Sequence, residues 1–138
     1  MTSSAPGENS LTDLFSRTSS YLRLSLTDRC NLRCRYCVGE DEASGCLARL
    51  GHEDLLTYEE LLRVVRVAVA RGITKVRLTG GEPLVRRGVL DFSRELTRIE
   101  GLDDVRLTSN GVLLAQSAGA LRAAGVSKVN VSLDSLRP

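Results

Sequence analysis

From residue 21 to residue 26 apolar and polar positions alternate, Leu22, Leu24 and Leu26 against Arg23 and Ser25, which is the period of a β-strand. The alternation returns three times: Val76 and Leu78 against Arg77 and Thr79, Val105 and Leu107 against Arg106 and Thr108, and Val129 and Val131 against Asn130 and Ser132. These predict strands over 75–79, 105–108 and 128–133. Between them the period lengthens. Thr57 and Glu60 spell a capping box ahead of Leu61, Leu62, Val64, Val65, Ala68 and Val69, predicting a helix that stops near Arg71 and Gly72. Leu90, Phe92, Leu96 and Ile99 predict a second helix over about 88–100, with Arg86 and Arg87 as its solvated start. An alanine-rich stretch predicts a third over about 113–124, ended by Gly125. The order β-α-β-α-β-α-β specifies an α/β fold of parallel strands with right-handed crossovers.

The strands also say what the sheet faces. Parallel strands covered on both sides read as continuous apolar runs. Here every second residue is polar, so one face meets helices and the other is polar. Two explanations stand: a lumen that holds a ligand, or a sheet face open to solvent. The lumen is favoured because each motif loop follows a strand's C-terminal end, where barrel active sites form. On that face Arg23, Arg77 and Arg106 carry forked donors suited to phosphates. Closed barrels of this kind need roughly 200 residues or more. The 138 residues are therefore expected to be the N-terminal portion of a partial (β/α) TIM-like barrel, truncated after the fourth strand. Residues 1–20 are expected to be a flexible leader and 21–138 the core domain.

Composition narrows the class. Hydrophobic residues make up 42%, enough for a folded core. A net charge of +2, from 19 basic and 17 acidic residues, gives no footprint for nucleic acid. No apolar run approaches the ~18 residues of a membrane span, and the N-terminus lacks the apolar centre of a signal peptide. A reducing cytoplasm is the expected compartment.

Against that background, Cys30, Cys34 and Cys37 fall within eight residues, spaced C-x3-C-x2-C, just after the first strand. Disulfide pairing leaves one thiol over. Structural zinc takes four protein ligands, commonly from C-x2-C pairs, whereas iron-sulfur clusters are held by thiolates. Three thiols on one loop point to a four-iron cluster with one iron open for chemistry, with zinc or unligated thiols as the alternatives. Gly80-Gly81-Glu82-Pro83 closes the second strand; its glycines permit close backbone approach and its proline fixes the exit, though it also reads as a plain turn. Thr108-Ser109-Asn110-Gly111 reads equally as a strand ending in an Asn-Gly turn. Ser132 reads as a small filler of the lumen. His52, the sole histidine, is read as a surface residue.

The cysteine motif, with Tyr36 before its last cysteine, resembles that of the radical S-adenosylmethionine enzymes. Three longer phrases are similar to the GTP 3',8-cyclase branch, which opens molybdenum-cofactor biosynthesis: Tyr21-Leu22-Arg23-Leu24-Ser25-Leu26-Thr27-Asp28-Arg29-Cys30-Asn31, Lys75-Val76-Arg77-Leu78-Thr79-Gly80-Gly81-Glu82-Pro83-Leu84 and Val129-Asn130-Val131-Ser132-Leu133-Asp134-Ser135-Leu136. The resemblance implies a [4Fe-4S] cluster on Cys30, Cys34 and Cys37 whose open iron binds S-adenosylmethionine and cleaves it to a 5'-deoxyadenosyl radical. It implies a lyase that cyclises GTP to (8S)-3',8-cyclo-7,8-dihydroguanosine 5'-triphosphate. Tyr36, Gly80, Gly81, Glu82 and Ser132 would contact S-adenosylmethionine, with Glu82 and backbone carbonyls accepting from its ammonium. Arg23, Arg77 and Thr108 would bind GTP, with Ser109, Asn110 and Gly111 lying around S-adenosylmethionine. A reductant for the cluster is the further partner implied, and the oligomeric state stays open between monomer and dimer.

Cys46 has no counterpart in the family pattern and is read as a free surface thiol. Val38-Gly39 stands where the family commonly has a hydrophobic-proline pair, residues 40–54 form a longer segment, and Ser109 replaces a frequent threonine. The family's second cluster, held by C-terminal cysteines, is absent from these 138 residues. Two other readings remain: a peptide-modifying radical enzyme of the same superfamily, and a non-catalytic iron-sulfur or zinc-binding module.

Overall fold

Four strands, β1 (Tyr21–Ser25), β2 (Lys75–Thr79), β3 (Asp104–Ser109) and β4 (Lys128–Val131), pair in parallel in sequence order. The computed structural model describes residues 10–38, 51 and 54–137. Cys46, His52 and most of the irregular segment expected over 39–54 lie outside the described residues. The helices are α1 (Arg35–Val38), α2 (Tyr58–Ala70), α3 (Val89–Leu96) and α4 (Leu114–Ala123), with a 3-10 turn at Pro83–Val85. This is the expected α/β architecture. The turns at 35–38 and 83–85 are additions that no hydrophobic period announced.

Alternation decides the layering. Val76, Leu78, Val105 and Leu107 are buried, and pack with Leu24, Leu61, Val65, Phe92, Leu96 and Leu121 in one core. Each such side chain, removed from water, contributes ~1.5–3 kcal/mol. Helix α2 starts as its capping box dictates: Glu60 N–H donates to Thr57 Oγ1 at 3.2 Å, and Thr57 N–H to Glu60 Oε2 at 2.8 Å. Helix α3 is shorter than the period suggested. Thr97 Oγ1 donates to Arg94 O and to Ala124 O at the end of α4, so the chain is pinned there and turns. Ile99 and Leu102 then reach the core from non-helical backbone.

Arg86 overturns its reading as a solvated helix start. Its guanidinium donates to Leu26 O and Leu56 O, both at 2.6 Å, and lies 4.3 Å from the centroid of the Tyr58 ring. Tyr58 in turn stacks on Phe92 at 4.6 Å. The side chain therefore ties the end of β1 to the approach of α2. Arg87 is exposed. Within the expected leader, Thr12 and Thr18 form an antiparallel bridge, Asp13 pairs with Arg17 at 2.7 Å, and Leu11 N–H reaches Arg71 O at 3.2 Å.

Candidate functional site at the C-terminal ends of the strands

Three loops meet where β1, β2 and β3 end. The loop after β2 lies directly against the start of the cysteine loop: Gly81 N–H donates to Thr27 O at 2.7 Å and Glu82 N–H to Arg29 O at 2.8 Å. That approach requires glycine twice. A Cβ on Gly80, whose φ is +144°, would sit 2.5 Å from Thr27 O, and one on Gly81 would sit 2.3 Å from Arg29 O. Both clashes are with backbone, which has no rotamer to escape into. The glycine pair is thus the seat on which the cysteine loop rests.

Glu82 is fully buried. Its carboxylate accepts from Leu84 N–H at 3.1 Å, Ser109 Oγ at 3.0 Å and Asn110 N–H at 2.7 Å. It therefore binds the β2 loop to the β3 loop from beneath.

The thiols sit on the rim. Cys30 and Cys37 are exposed and Cys34 is half-buried; all are free. Cys37 N–H donates to Cys34 O at 2.9 Å, so Cys34 and Cys37 share the turn that begins α1. Cys30 Sγ accepts from Leu32 N–H at 3.4 Å and from Asn110 Nδ2 at 3.6 Å. Among the described residues no three Cys, His, Asp or Glu side chains are gathered as a preformed metal site. The fit to a cluster rests instead on donor chemistry: three unpaired thiols on one exposed stretch, with nitrogen donors already directed at one sulfur. Tyr36 donates to Asp134 Oδ1, beyond β4, at 3.3 Å. The Cys34 thiol beside its hydroxyl, then the Asp134 carboxylate, push its pKa up to about 12. It stays a phenol at neutral pH and ties the cysteine loop to the segment that follows β4.

Below the rim the polar face carries a row of cations. The register sets Arg23 beside Arg77, Arg77 beside Arg106, and Arg106 beside Lys128, one from each strand. Adjacent strands lie only about 4.8 Å apart, and like charges placed directly opposite one another destabilise a sheet. Arg106 is compensated by Asp104, with Nε at 2.8 Å and Nη2 at 2.5 Å. Those contacts, then the Ser127 hydroxyl, hold the Asp104 carboxyl at a pKa of about 2. Arg77 has its guanidinium 5.6 Å from the Tyr21 ring, while its Nε is buried without a hydrogen-bond partner among the described residues. Buried donors without a partner are uncommon, and among the described residues Arg29 Nε is the other. Thr108 stands one step nearer the rim, beside Asn130.

The structure thus brings Arg23, Arg77 and Thr108 onto one face and Cys30, Cys34, Cys37, Tyr36, Gly80, Gly81 and Ser132 to its upper edge. Sequence reasoning missed Lys128 as a member of this row; strand register, which no local pattern encodes, reveals it. Asn110 was expected around S-adenosylmethionine, and its contacts with Asn31 and Cys30 are what the structure adds. A separate groove of about 440 Å³, lined by Arg66, Val69, Glu95, Arg98 and Ile99, lies between the C-terminal ends of α2 and α3, away from the motif loops.

Comparison with known proteins defines the class. Residues 24–138 match the Radical SAM superfamily. This chain belongs to that superfamily, whose membership implies a [4Fe-4S] cluster and S-adenosylmethionine. It is 55% identical over 127 residues to the GTP 3',8-cyclase of Geobacter sulfurreducens, covering 92% of this chain and 38% of the relative. The GTP 3',8-cyclase of Thermodesulfovibrio yellowstonii is 52% identical over 124 residues, 90% of this chain and 38% of that protein. The chain therefore spans well under half the length of these relatives. Among solved structures it is similar to BtrN in an open conformation, with a TM-score of 0.58 and 19% identity over 81% of this chain and 49% of that one. BtrN in complex with AdoMet and 2-DOIA gives a TM-score of 0.57 at 18% identity, over 81% and 44%. These two establish the fold. No helix among the described residues is long and apolar enough to cross a membrane.

Proposed function

We propose that this chain is the cluster- and nucleotide-binding portion of a radical S-adenosylmethionine GTP 3',8-cyclase. The observation that carries the reading is the in-register row of Arg23, Arg77, Arg106 and Lys128 beneath the cysteine rim. Asp104 answers Arg106 within the fold; a triphosphate laid across the row would supply counter-charge to its neighbours Arg23 and Arg77. The relatives named as GTP 3',8-cyclases make GTP the nucleotide to test.

Cys30, Cys34 and Cys37 would hold the cluster, and Tyr36, Gly81 and Ser132 would line the S-adenosylmethionine pocket beside it. When bound, that pair supplies the one-electron chemistry that opens a radical reaction on the nucleotide. The chain's own part is placement. Gly80 and Gly81 seat the cysteine loop, Glu82 locks it to the β3 loop, and the arginines hold the triphosphate so that the ribose lies towards the rim. Thr108, between the row and the rim, would donate or accept at the nucleoside. Holding two reactants in fixed geometry provides much of the rate in such sites.

Titration calorimetry with GTP tests the reading. Arg77→Ala should weaken GTP binding by about tenfold to a hundredfold, as for loss of a charge-assisted hydrogen bond. Its iron content after anaerobic reconstitution should match wild type. Equal GTP affinity in Arg77→Ala and wild type would remove the row from the nucleotide site.

A further inference from the structure

Asn110 lies where the three rim loops meet, and its side-chain amide has a determined orientation. Its Oδ1 accepts from Val112 N–H at 3.0 Å, so the nitrogen end must point the other way. There Nδ2 donates to Asn31 Oδ1 at 2.7 Å and to Cys30 Sγ at 3.6 Å. The backbone of Asn110 is anchored by its N–H to buried Glu82, itself fixed by Ser109 and Leu84. A donor held at three points is thus aimed at one ligand sulfur, which also accepts from Leu32 N–H.

We propose that Asn110 is a positioning residue that donates to the Cys30 thiolate and raises the reduction potential of a cluster held there. The inference rests on the cluster reading above. Its physical basis is that reduction adds negative charge shared with the thiolate sulfurs. An N–H aimed at such a sulfur favours the reduced state, and hydrogen bonds of this kind set cluster potentials.

The test is a redox titration of the anaerobically reconstituted full chain, followed by electron paramagnetic resonance. Asn110→Ser keeps a hydroxyl oxygen to accept from Val112 N–H but is too short to reach Cys30. It should load the wild-type amount of iron and show a lower potential. A tenfold fall in the reduction equilibrium constant is expected, 59 mV for one electron. Asn31→Ser, which removes the other acceptor of the same Nδ2, should leave the potential unmoved. An unmoved potential in Asn110→Ser overturns the proposal. So does an equal lowering in Asn31→Ser, which would make loop position the cause. Loss of iron from Asn110→Ser alone, with wild-type circular dichroism, also overturns it, because the residue would then hold the cluster in place rather than set its potential. If that variant does not fold, Asn110→Thr carries the same expectations. A wild-type chain that takes up no iron would sink the cluster reading and this inference with it; an unmoved potential in a loaded variant counts against Asn110 only.

Discussion

Arg77 and Arg106 stand side by side in register under opposite electrostatic conditions. Arg106 is held by a carboxylate two residues away, whereas among the described residues Arg77 meets the Tyr21 ring and its Nε has no hydrogen-bond partner. The Asp104–Arg106 pair is therefore structural, and it carries a pH signature. Asp104 has a folded pKa of about 2 against an ordinary value near 4, so between those values the unfolded chain binds the extra proton. The pair's contribution is fully present above about pH 4 and is lost as pH falls from about 4 to about 2. Asp104→Asn should destabilise the chain by about 1–2 kcal/mol at neutral pH, after solvent screening, and flatten the stability profile across that window. Urea unfolding at several pH values measures this; an unchanged slope between pH 2 and 4 would dismiss the pair. At this scale the sequence was partly legible. Alternation placed Arg23, Arg77, Arg106 and Thr108 on the polar face, but that Ser127, 23 residues on, helps hold Asp104 against Arg106 could not be read from it. The motif marked Glu82 only as an acceptor; that it also locks two loops depends on Ser109 and Asn110, 27 and 28 residues away.

Elements, here, are positioned by the loops more than by helix propensity. The strand order and the capping box of α2 could be read directly, because period and cap are local signals. The end of α3 and the role of Arg86 could not, because each depends on a partner distant in sequence. Thr97 meets Ala124 across 27 residues, and Arg86 meets Leu26 across 60. Arg86 is the fastening between the cysteine-loop end of β1 and α2. Arg86→Ala should lower stability by roughly 2–3 kcal/mol, combining charged hydrogen bonds to two carbonyls with loss of the stack on Tyr58. Arg86→Lys should recover only a fraction, since an ammonium cannot fork to both carbonyls while stacking. Denaturant melts of the three proteins decide the matter. A loss below about 0.5 kcal/mol, the range of ordinary surface substitutions, would return Arg86 to the solvated role.

Over the whole molecule, the sheet is a compromise between a well-buried helix-facing side and a polar side with aligned like charges. Such a face should hold the apo protein below its attainable stability and make it respond to anions. Two consequences have opposite sign, which separates a ligand row from an ordinary structural feature. With GTP at about a hundred times its dissociation constant, linkage predicts ~2.7 kcal/mol of added stability, or several degrees in the melting midpoint. Replacing both Arg23 and Arg77 with Gln should abolish most of that response, because the forked donors are gone. The same double variant without nucleotide should melt slightly higher than wild type, by up to about 1 kcal/mol, because opposed like charges have been removed. Raising salt should narrow that apo difference, since the screening length falls from ~10 Å at 0.1 M to ~3 Å at 1 M. Scanning calorimetry of both proteins, with and without GTP and at two salt concentrations, reads all of these together. If the double variant melts lower without nucleotide and GTP still protects it as well as wild type, the cations belong to the fold and the nucleotide lies elsewhere.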